Sequence, residues 1–236
     1  LTAHPTEVTR RTLIHKHKEL ANCLQAIHQE SLNDVERKKI ETRIADLIAQ
    51  AWHTEEIRSV RPTPVDEARW GFSVIENSLW EAVPDFMREL DDRLNEDYDV
   101  SLPLDASPVQ FSSWMGGDRD GNPFVTSKVT EQVLLLARKR AAKLFAIDLD
   151  RLQVELSMYD CNDALREKVG DANEPYRALL RPLVDKFITT RDGISDYLAG
   201  KNPDTSNWIE SDDELIEPLM LCYQSLLDCG MQVVAN

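Results

Sequence analysis

Apolar residues recur at steps of three and four along most of this chain of 236 residues. That spacing follows the roughly 3.6 residues of a helical turn and is typical of the buried stripe of an amphipathic helix. It predicts helices over residues 13–27, 40–52, 72–94 with a kink or a split at Pro84, 126–158, 175–198 and 212–229. A chain with this pattern is expected to be mainly α-helical.

Proline and small polar residues separate the predicted helices. Residues 31–34 are turn and capping residues, so the first two helices are expected to form an antiparallel hairpin. The stretch Arg61-Pro62-Thr63-Pro64 should end the second helix, because proline disfavours helical geometry in the residue before it. Short strands are predicted at residues 1–3, 109–114 and 231–236.

The charge balance excludes one broad class of function. The chain has 27 Lys and Arg against 42 Asp and Glu, a net charge of -15. Neutralising nucleic-acid phosphates needs a basic face, so no nucleic-acid partner is expected. A few clustered arginines could still bind a small anionic substrate.

Membrane insertion and disulfide bonding are also not expected. No apolar run approaches the roughly 20 residues that cross a bilayer. The four cysteines form no Cys-x-x-Cys pair, which favours a reducing, cytoplasmic location. The chain begins without methionine and ends in an apparent strand, so we expect it to be a fragment.

His4 is the first candidate for chemistry. It lies between a short apolar segment and the helix start Pro5-Thr6-Glu7, and an imidazole can hold or transfer a proton near neutral pH. The alternative is a structural histidine that bonds a neighbouring backbone group. Glu7 and either Thr6 or Thr9 are better explained as helix-capping residues.

Arg10 and Arg11 are adjacent cations near the start of a helix, where they oppose the helix dipole. Guanidinium groups match phosphate in a bidentate arrangement, so the pair could form an anion site. The alternative is a pair of surface ion pairs, which are common and contribute little.

Residues 116–123 form a glycine-rich turn crowded with charge. It is not an EF-hand calcium loop, because the sixth and twelfth positions counted from Asp118 are Pro123 and Val129 rather than glycine and glutamate. The composition instead predicts a tight loop whose backbone N–H groups cradle an anion, with Arg119 adding positive charge and Asp118 and Asp120 anchoring the turn. An ordinary glycine turn is the alternative.

Several blocks of this chain resemble bacterial phosphoenolpyruvate carboxylase in order and spacing. They include LTAHPTEVTRR at residues 1–11, WHTEEIR at 52–58, RPTPVDE at 61–67 and FSSWMGGDRDGNP at 111–123. The resemblance continues to CYQSL at residues 222–226 and therefore covers essentially the whole chain. It implies that residues 1–236 are a single amino-terminal portion of a longer catalytic chain, helical and contributing a few short strands to a larger α/β barrel of the TIM type.

The resemblance also implies a reaction. Bicarbonate attacks the phosphate of phosphoenolpyruvate to give carboxyphosphate and pyruvate enolate, and the enolate then takes up carbon dioxide to yield oxaloacetate. His4 matches the family's active-site histidine. Arg10, Arg11 and Arg58 match positions associated with a sugar-phosphate activator. The substrate and bicarbonate region matches Trp114, Gly116, Gly117, Asp118, Arg119, Asp120, Gly121 and Asn122.

Other groups that the resemblance implies lie elsewhere. The family's Mg²⁺ or Mn²⁺ is held by carboxylates beyond Asn236, so no metal ligands are expected in residues 1–236. The full-length enzyme is expected to be a cytoplasmic homotetramer with small-molecule allosteric effectors, and the isolated chain to be inactive. The alternatives are a helical interaction or scaffold domain without catalysis, and a phosphohistidine relay through His4.

Overall fold

The computed structural model describes residues 11–28, 32–55 and 62–235, and for Arg11 it describes the backbone only. Within these ranges the secondary structure is helical, and no strand is present. The prediction of a mainly α-helical chain is confirmed. The helices are α1 (Arg11–Ile27), α2 (Asp34–Trp52), α3 (Pro64–Val74), α4 (Trp80–Tyr98), α5 (Ser127–Glu155), α6 (Asp163–Val169), α7 (Pro175–Leu198), α8 (Asp213–Asp228) and α9 (Gln232–Ala235), with a π-helical segment at Ile75–Leu79.

Two of the predicted strands are wrong. Residues 109–114 have no regular structure, because an isolated segment finds no partner for its backbone groups. At the end of the chain Gln232–Ala235 is helical: the N–H groups of Val234 and Ala235 donate to the Met231 carbonyl at 3.0 and 3.1 Å. Val233 is 95% exposed rather than buried. The third predicted strand, at residues 1–3, lies outside the described residues.

Helix α3 begins earlier than the predicted start at Phe72, and its cap explains why. The Thr63 hydroxyl donates to Asp66 Oδ2 at 2.7 Å, and the Asp66 N–H donates back to Thr63 Oγ1 at 3.2 Å. Pro64 then occupies the first helical position, where its missing N–H costs nothing. Farther along, the predicted split of the helix at Pro84 is wrong, since Pro84 lies inside α4. The alternative, a kink at Pro84, stays a prediction.

Contacts between residues divide the chain into two compact units. One comprises residues 1–71 and 111–129, and the other comprises 72–110 and 130–236. The first unit contains the predicted α1–α2 hairpin. Lys16, near the start of α1, donates to Thr54 Oγ1 at 2.7 Å just beyond the end of α2, and Arg43 pairs with Glu19 at 2.6 Å, so the two helices are antiparallel. Asn33 closes a capping box with Glu36 at the start of α2.

The second unit contains the main hydrophobic core, formed by α5, α6, α7 and α8. Its most deeply buried side chains include Leu165, Tyr176 and Leu180, each 0% exposed. Polar groups are buried among these helices as well: the Ser225 hydroxyl lies 2.9 Å from the Tyr176 hydroxyl and accepts the Asn162 N–H at 3.0 Å. This hydrogen bonding satisfies polar atoms that would otherwise destabilise the core.

Trp208 packs the segment between α7 and α8 against α5 and α7. Its ring is 7% exposed, and the Arg138 guanidinium carbon lies 5.5 Å from the ring centroid. A Cβ atom at Gly193 of α7 would lie 2.5 Å from Trp208 Nε1 and 2.8 Å from two ring carbons. Gly193 is therefore needed for the close approach of a rigid ring to the helix.

We expect Gly193→Ala to destabilise the chain by about 1–3 kcal/mol, because the added methyl group overpacks the ring. The gain in helix propensity, at most about 1 kcal/mol, opposes this only in part. Urea unfolding followed by circular dichroism measures the change. Arg181→Ala, at an exposed position of the same helix, is the control and should stay within about 0.5 kcal/mol of the original chain. Equal stability of the two variants would contradict the packing argument.

Cys222 should react very slowly with thiol reagents in the native chain. Its side chain is 3% exposed, and burial raises the pKa of the thiol to about 12. Because the thiolate is the reactive species, a raised pKa lowers the reactive fraction at neutral pH. Alkylation by iodoacetamide near pH 8 followed by peptide mass mapping should label the exposed Cys229 first, although desolvation and Asp160 also raise the pKa of its thiol. Labelling of Cys222 at the rate of Cys229 before denaturation would contradict this prediction.

Candidate functional site

The loop at residues 111–126 lies in the first unit and contains the candidate site residues that the structure describes. It begins with a tight turn in which the N–H groups of Gly117 and Asp118 both donate to the Trp114 carbonyl at 2.9 Å. Gly116 has a φ of 73°, a left-handed conformation that glycine adopts without steric cost. Gly116 is buried, whereas Trp114 is 70% exposed. The turn therefore presents the indole ring to the surface.

The second half of the loop is held by its own side chains. Asp118 Oδ1 accepts the Asp120 N–H at 3.2 Å, and Asn122 Oδ1 accepts the Phe124 N–H at 3.0 Å. The Asn122 N–H donates to the Arg119 carbonyl. Asp120 has a φ of 26° and Gly121 a φ of 75°, so two consecutive residues take left-handed geometry. Aspartate tolerates this geometry better than most residues.

These hydrogen bonds restrict the predicted anion cradle. The N–H groups of Gly117, Asp118, Asp120 and Asn122 donate within the loop, so they cannot point together at a ligand. Within the described part of the chain, no acceptor is found for the N–H groups of Arg119 and Gly121. A cradle of converging N–H groups at this loop would therefore have to use amides other than those four.

The net charge of the loop also limits its ability to bind an anion. Arg119 lies between two carboxylates, Asp118 and Asp120, and all three side chains are exposed. Their sum is one negative charge, so the loop alone does not form a positive pocket. Its chemical capacity is an exposed guanidinium that can bind a carboxylate or phosphate in a bidentate arrangement.

The other predicted site residues are not among those whose side chains the structure describes. His4, Arg10 and Arg58 lie outside the described residues, and Arg11 is described only as the first backbone position of α1. The structure therefore describes only the Trp114 and Gly116–Asn122 part of the predicted site.

Sequence analysis did not single out two hydroxyl residues that shape the loop. Ser113 Oγ accepts the Met115 N–H at 3.3 Å, and Thr126 Oγ1 accepts the Val129 N–H at 3.3 Å at the start of α5. The signal for Thr126 was present, because a threonine directly before a helical period is a typical N-cap. Ser113 had no such signal, since its role depends on the turn that follows it.

No helix in the described ranges has both the length and the apolar composition needed to cross a membrane. Across the same ranges, no three histidine, cysteine, aspartate or glutamate side chains are grouped so that they could hold a metal ion.

Comparison with known proteins gives one consistent result. A family model described as phosphoenolpyruvate carboxylase matches residues 1–236. The chain is 55% identical to phosphoenolpyruvate carboxylase of Tolumonas auensis, 57% identical to that of Aeromonas hydrophila and 56% identical to that of Pseudomonas putida strain GB-1, in each case over all 236 residues. It spans 27% of the length of each of these relatives. Because the match covers the whole chain at this identity, the chain belongs to the phosphoenolpyruvate carboxylase family.

Proposed function

We propose that the full-length protein carrying this chain carboxylates phosphoenolpyruvate with bicarbonate to give oxaloacetate and phosphate, and so replenishes the tricarboxylic acid cycle. The observation that carries the proposal is the match of the family model to all 236 residues. Relatives named phosphoenolpyruvate carboxylase at 55–57% identity support the same reaction. This reaction makes the protein a carboxy-lyase.

In the proposed reaction a bicarbonate oxygen attacks the phosphorus of phosphoenolpyruvate. The bond from phosphorus to the enol oxygen breaks, which leaves carboxyphosphate and the enolate of pyruvate. His4 would bind carboxyphosphate and take the proton from its carboxyl group. The bond from the carboxyl carbon to the bridging oxygen then breaks, which releases carbon dioxide and phosphate, and the enolate carbon attacks the carbon dioxide to give oxaloacetate. An imidazole suits this step because its pKa lies near neutral pH.

The loop of Trp114 and Gly116–Asn122 would line the substrate and bicarbonate region. Its geometry supports this role in two ways. The loop is braced by its own hydrogen bonds, so it can hold a fixed shape before a substrate arrives. Arg119 is also exposed, and both substrates are anions that a guanidinium can bind.

A divalent cation, Mg²⁺ or Mn²⁺, would stabilise the negative charge that develops during phosphoryl transfer. The described residues bring no three potential ligands together. The proposal places the metal-binding carboxylates beyond Asn236, where the family resemblance implies them.

The proposal also covers the regulation and the assembly of the full-length protein. Arg10, Arg11 and Arg58 would bind the phosphate of an allosteric activator. The full-length protein would act in the cytoplasm as a homotetramer, with phosphoenolpyruvate and bicarbonate as substrates and with neither a nucleic acid nor a membrane as partner. The net charge of -15 supports the absence of nucleic acid.

The proposed function is tested on the full-length protein. Oxaloacetate formation from phosphoenolpyruvate and bicarbonate is followed with Mg²⁺, by coupling the product to reduction by malate dehydrogenase. We expect a rate that requires both substrates and the metal. No oxaloacetate from a folded full-length protein would overturn the proposed function.

The isolated chain of residues 1–236 should form no oxaloacetate in the same assay. It spans 27% of its relatives' length, and the proposed metal ligands lie elsewhere. Loss of the metal alone removes several kcal/mol of stabilisation from a phosphoryl-transfer transition state. The full-length protein at equal concentration is the positive control, and turnover by the isolated chain would show that the catalytic groups are within residues 1–236.

A further inference from the structure

Helix α3 contains a glycine, Gly71, at a position where helical geometry does not require one. Gly71 is buried and lies at a three-residue step from Ala68, which is also buried. Its φ is not in the left-handed region, so backbone conformation does not require glycine here. Glycine inside a helix costs about 1 kcal/mol relative to alanine. A packing requirement is the remaining explanation.

The required space is occupied by Met115. A Cβ atom at Gly71 would lie 1.9 Å from Met115 Cε and 2.7 Å from Met115 Sδ. Both distances are far below van der Waals contact, so the methionine thioether fills the volume that any side chain at position 71 would take. Both residues belong to the first unit.

Met115 lies inside the turn that begins the candidate loop. It directly follows Trp114, whose carbonyl accepts the N–H groups of Gly117 and Asp118 at 2.9 Å. Trp114 is 70% exposed, whereas Met115 is half-buried, so the methionine is the side chain by which this turn packs against the protein. Movement of Met115 would be passed to Trp114 and Gly117 through the same turn.

We propose that Gly71 is a positioning residue. Because glycine has no side chain, helix α3 has a gap at this position. The Met115 side chain fills the gap and so holds the Trp114–Asn122 loop in place. The proposal rests on the proposed function, in which this loop lines the substrate region. Gly71 itself touches no substrate and acts only through Met115.

The chemistry of methionine determines how a substitution should act. The atoms nearest Gly71 are the end of a flexible side chain, so Gly71→Ala would displace the thioether rather than force the backbone apart. The variant should therefore fold. Alanine is also the better helix former, so the free energy of unfolding should be unchanged or higher. The Trp114–Asn122 loop would lose the packing contact that fixes its position. A loss of activity without a loss of stability separates positioning from a general structural role.

The test compares four full-length proteins: the original, Gly71→Ala, Met115→Ala and the double variant. The kcat and KM for phosphoenolpyruvate and bicarbonate are measured, together with the melting temperature. We expect Gly71→Ala to lower kcat/KM roughly 10- to 100-fold, since a displacement of about 1 Å near the chemistry can have such an effect. Its melting temperature should be unchanged or higher.

The Met115→Ala background is the matched control, because the thioether is absent there. In that background Gly71→Ala should leave kcat/KM unchanged and raise the melting temperature. Original kinetics in Gly71→Ala would overturn the proposal. An equal loss of kcat/KM in both backgrounds would also overturn it, because the effect would not pass through Met115.

A second readout does not depend on activity. Hydrogen exchange of the peptide that contains the Gly117 and Asp118 amides should be faster in Gly71→Ala than in the original protein, and Gly71→Ala should cause no such difference in the Met115→Ala background. Unchanged exchange in Gly71→Ala would overturn the positioning proposal. If the original protein made no oxaloacetate, the proposed function would be wrong. The hydrogen-exchange result would still decide whether Gly71 positions the loop through Met115.

Discussion

Replacing His4 with asparagine in the full-length protein should lower the rate of oxaloacetate formation by roughly 10²- to 10⁴-fold, the range that general acid–base groups contribute. Asparagine can still donate and accept hydrogen bonds and is close to imidazole in size. It cannot take up a proton near neutral pH. The substitution therefore removes the proposed proton transfer at His4 while it retains much of the bonding of a structural histidine.

The steady-state rate should be measured together with the circular dichroism spectrum and the melting temperature of the variant. His15→Asn, at an exposed position of α1, is the matched control and should retain the original rate. Two outcomes would return His4 to a structural role. One is an unaffected rate in His4→Asn, and the other is a lost rate accompanied by loss of the folded state.

Replacing Leu180 with alanine should destabilise the chain by about 2–5 kcal/mol. Leu180 is 0% exposed and belongs to the core cluster with Leu165, Tyr176 and Leu226. Removing three carbon atoms there loses their transfer free energy and leaves a cavity that the neighbouring helices can close only in part. The loss is a large share of the roughly 5–15 kcal/mol that stabilises a typical domain.

Leu134→Ala is the matched control for this prediction. The substitution is chemically identical, but Leu134 is 65% exposed on α5, so little burial is lost. Urea unfolding of both variants should give a free energy of unfolding well below the original for Leu180→Ala and close to it for Leu134→Ala. Similar losses in the two variants would mean that the core is not centred where the structure places it.

The long helices could be predicted from sequence because each shows several turns of the same apolar period. Helix α7 was predicted at residues 175–198 and is found at Pro175–Leu198, and α8 was predicted at 212–229 and is found at Asp213–Asp228. Helix α6, Asp163–Val169, was not predicted, because seven residues are too few to establish a period. Its Asn162 cap was the available signal: Asn162 Oδ1 accepts the Leu165 N–H at 2.9 Å.

The candidate site was predictable as a set of residues but not as a geometry. Glycine and charge density singled out residues 116–123, and the left-handed φ values of Gly116 and Gly121 agree with a tight loop. The direction of the loop's N–H groups was not predictable. It depends on which acceptor each N–H group meets, and the Trp114 carbonyl and the Asp118 carboxylate supply those acceptors within the loop.

The predicted strands failed for a related reason. An apolar run of four to six residues suits a strand or a short helix equally well, and pairing partners decide between them. At residues 232–235 the backbone bonds locally to the Met231 carbonyl, and Val233 is exposed. No pattern within such a run contains that information.

By itself, the sequence determined the helical class, the extents of α7 and α8, the family and the residues that form the candidate loop, because all of these depend on local periods and ordered motifs. Tertiary structure alone decided which loop amides are already bonded, where the Ser225 hydroxyl finds its partners, and that Gly71 faces Met115. Each of these is a contact between segments distant in the chain or a choice among competing acceptors. Such contacts are set by the packing of whole helices, which the residues of any one segment do not specify.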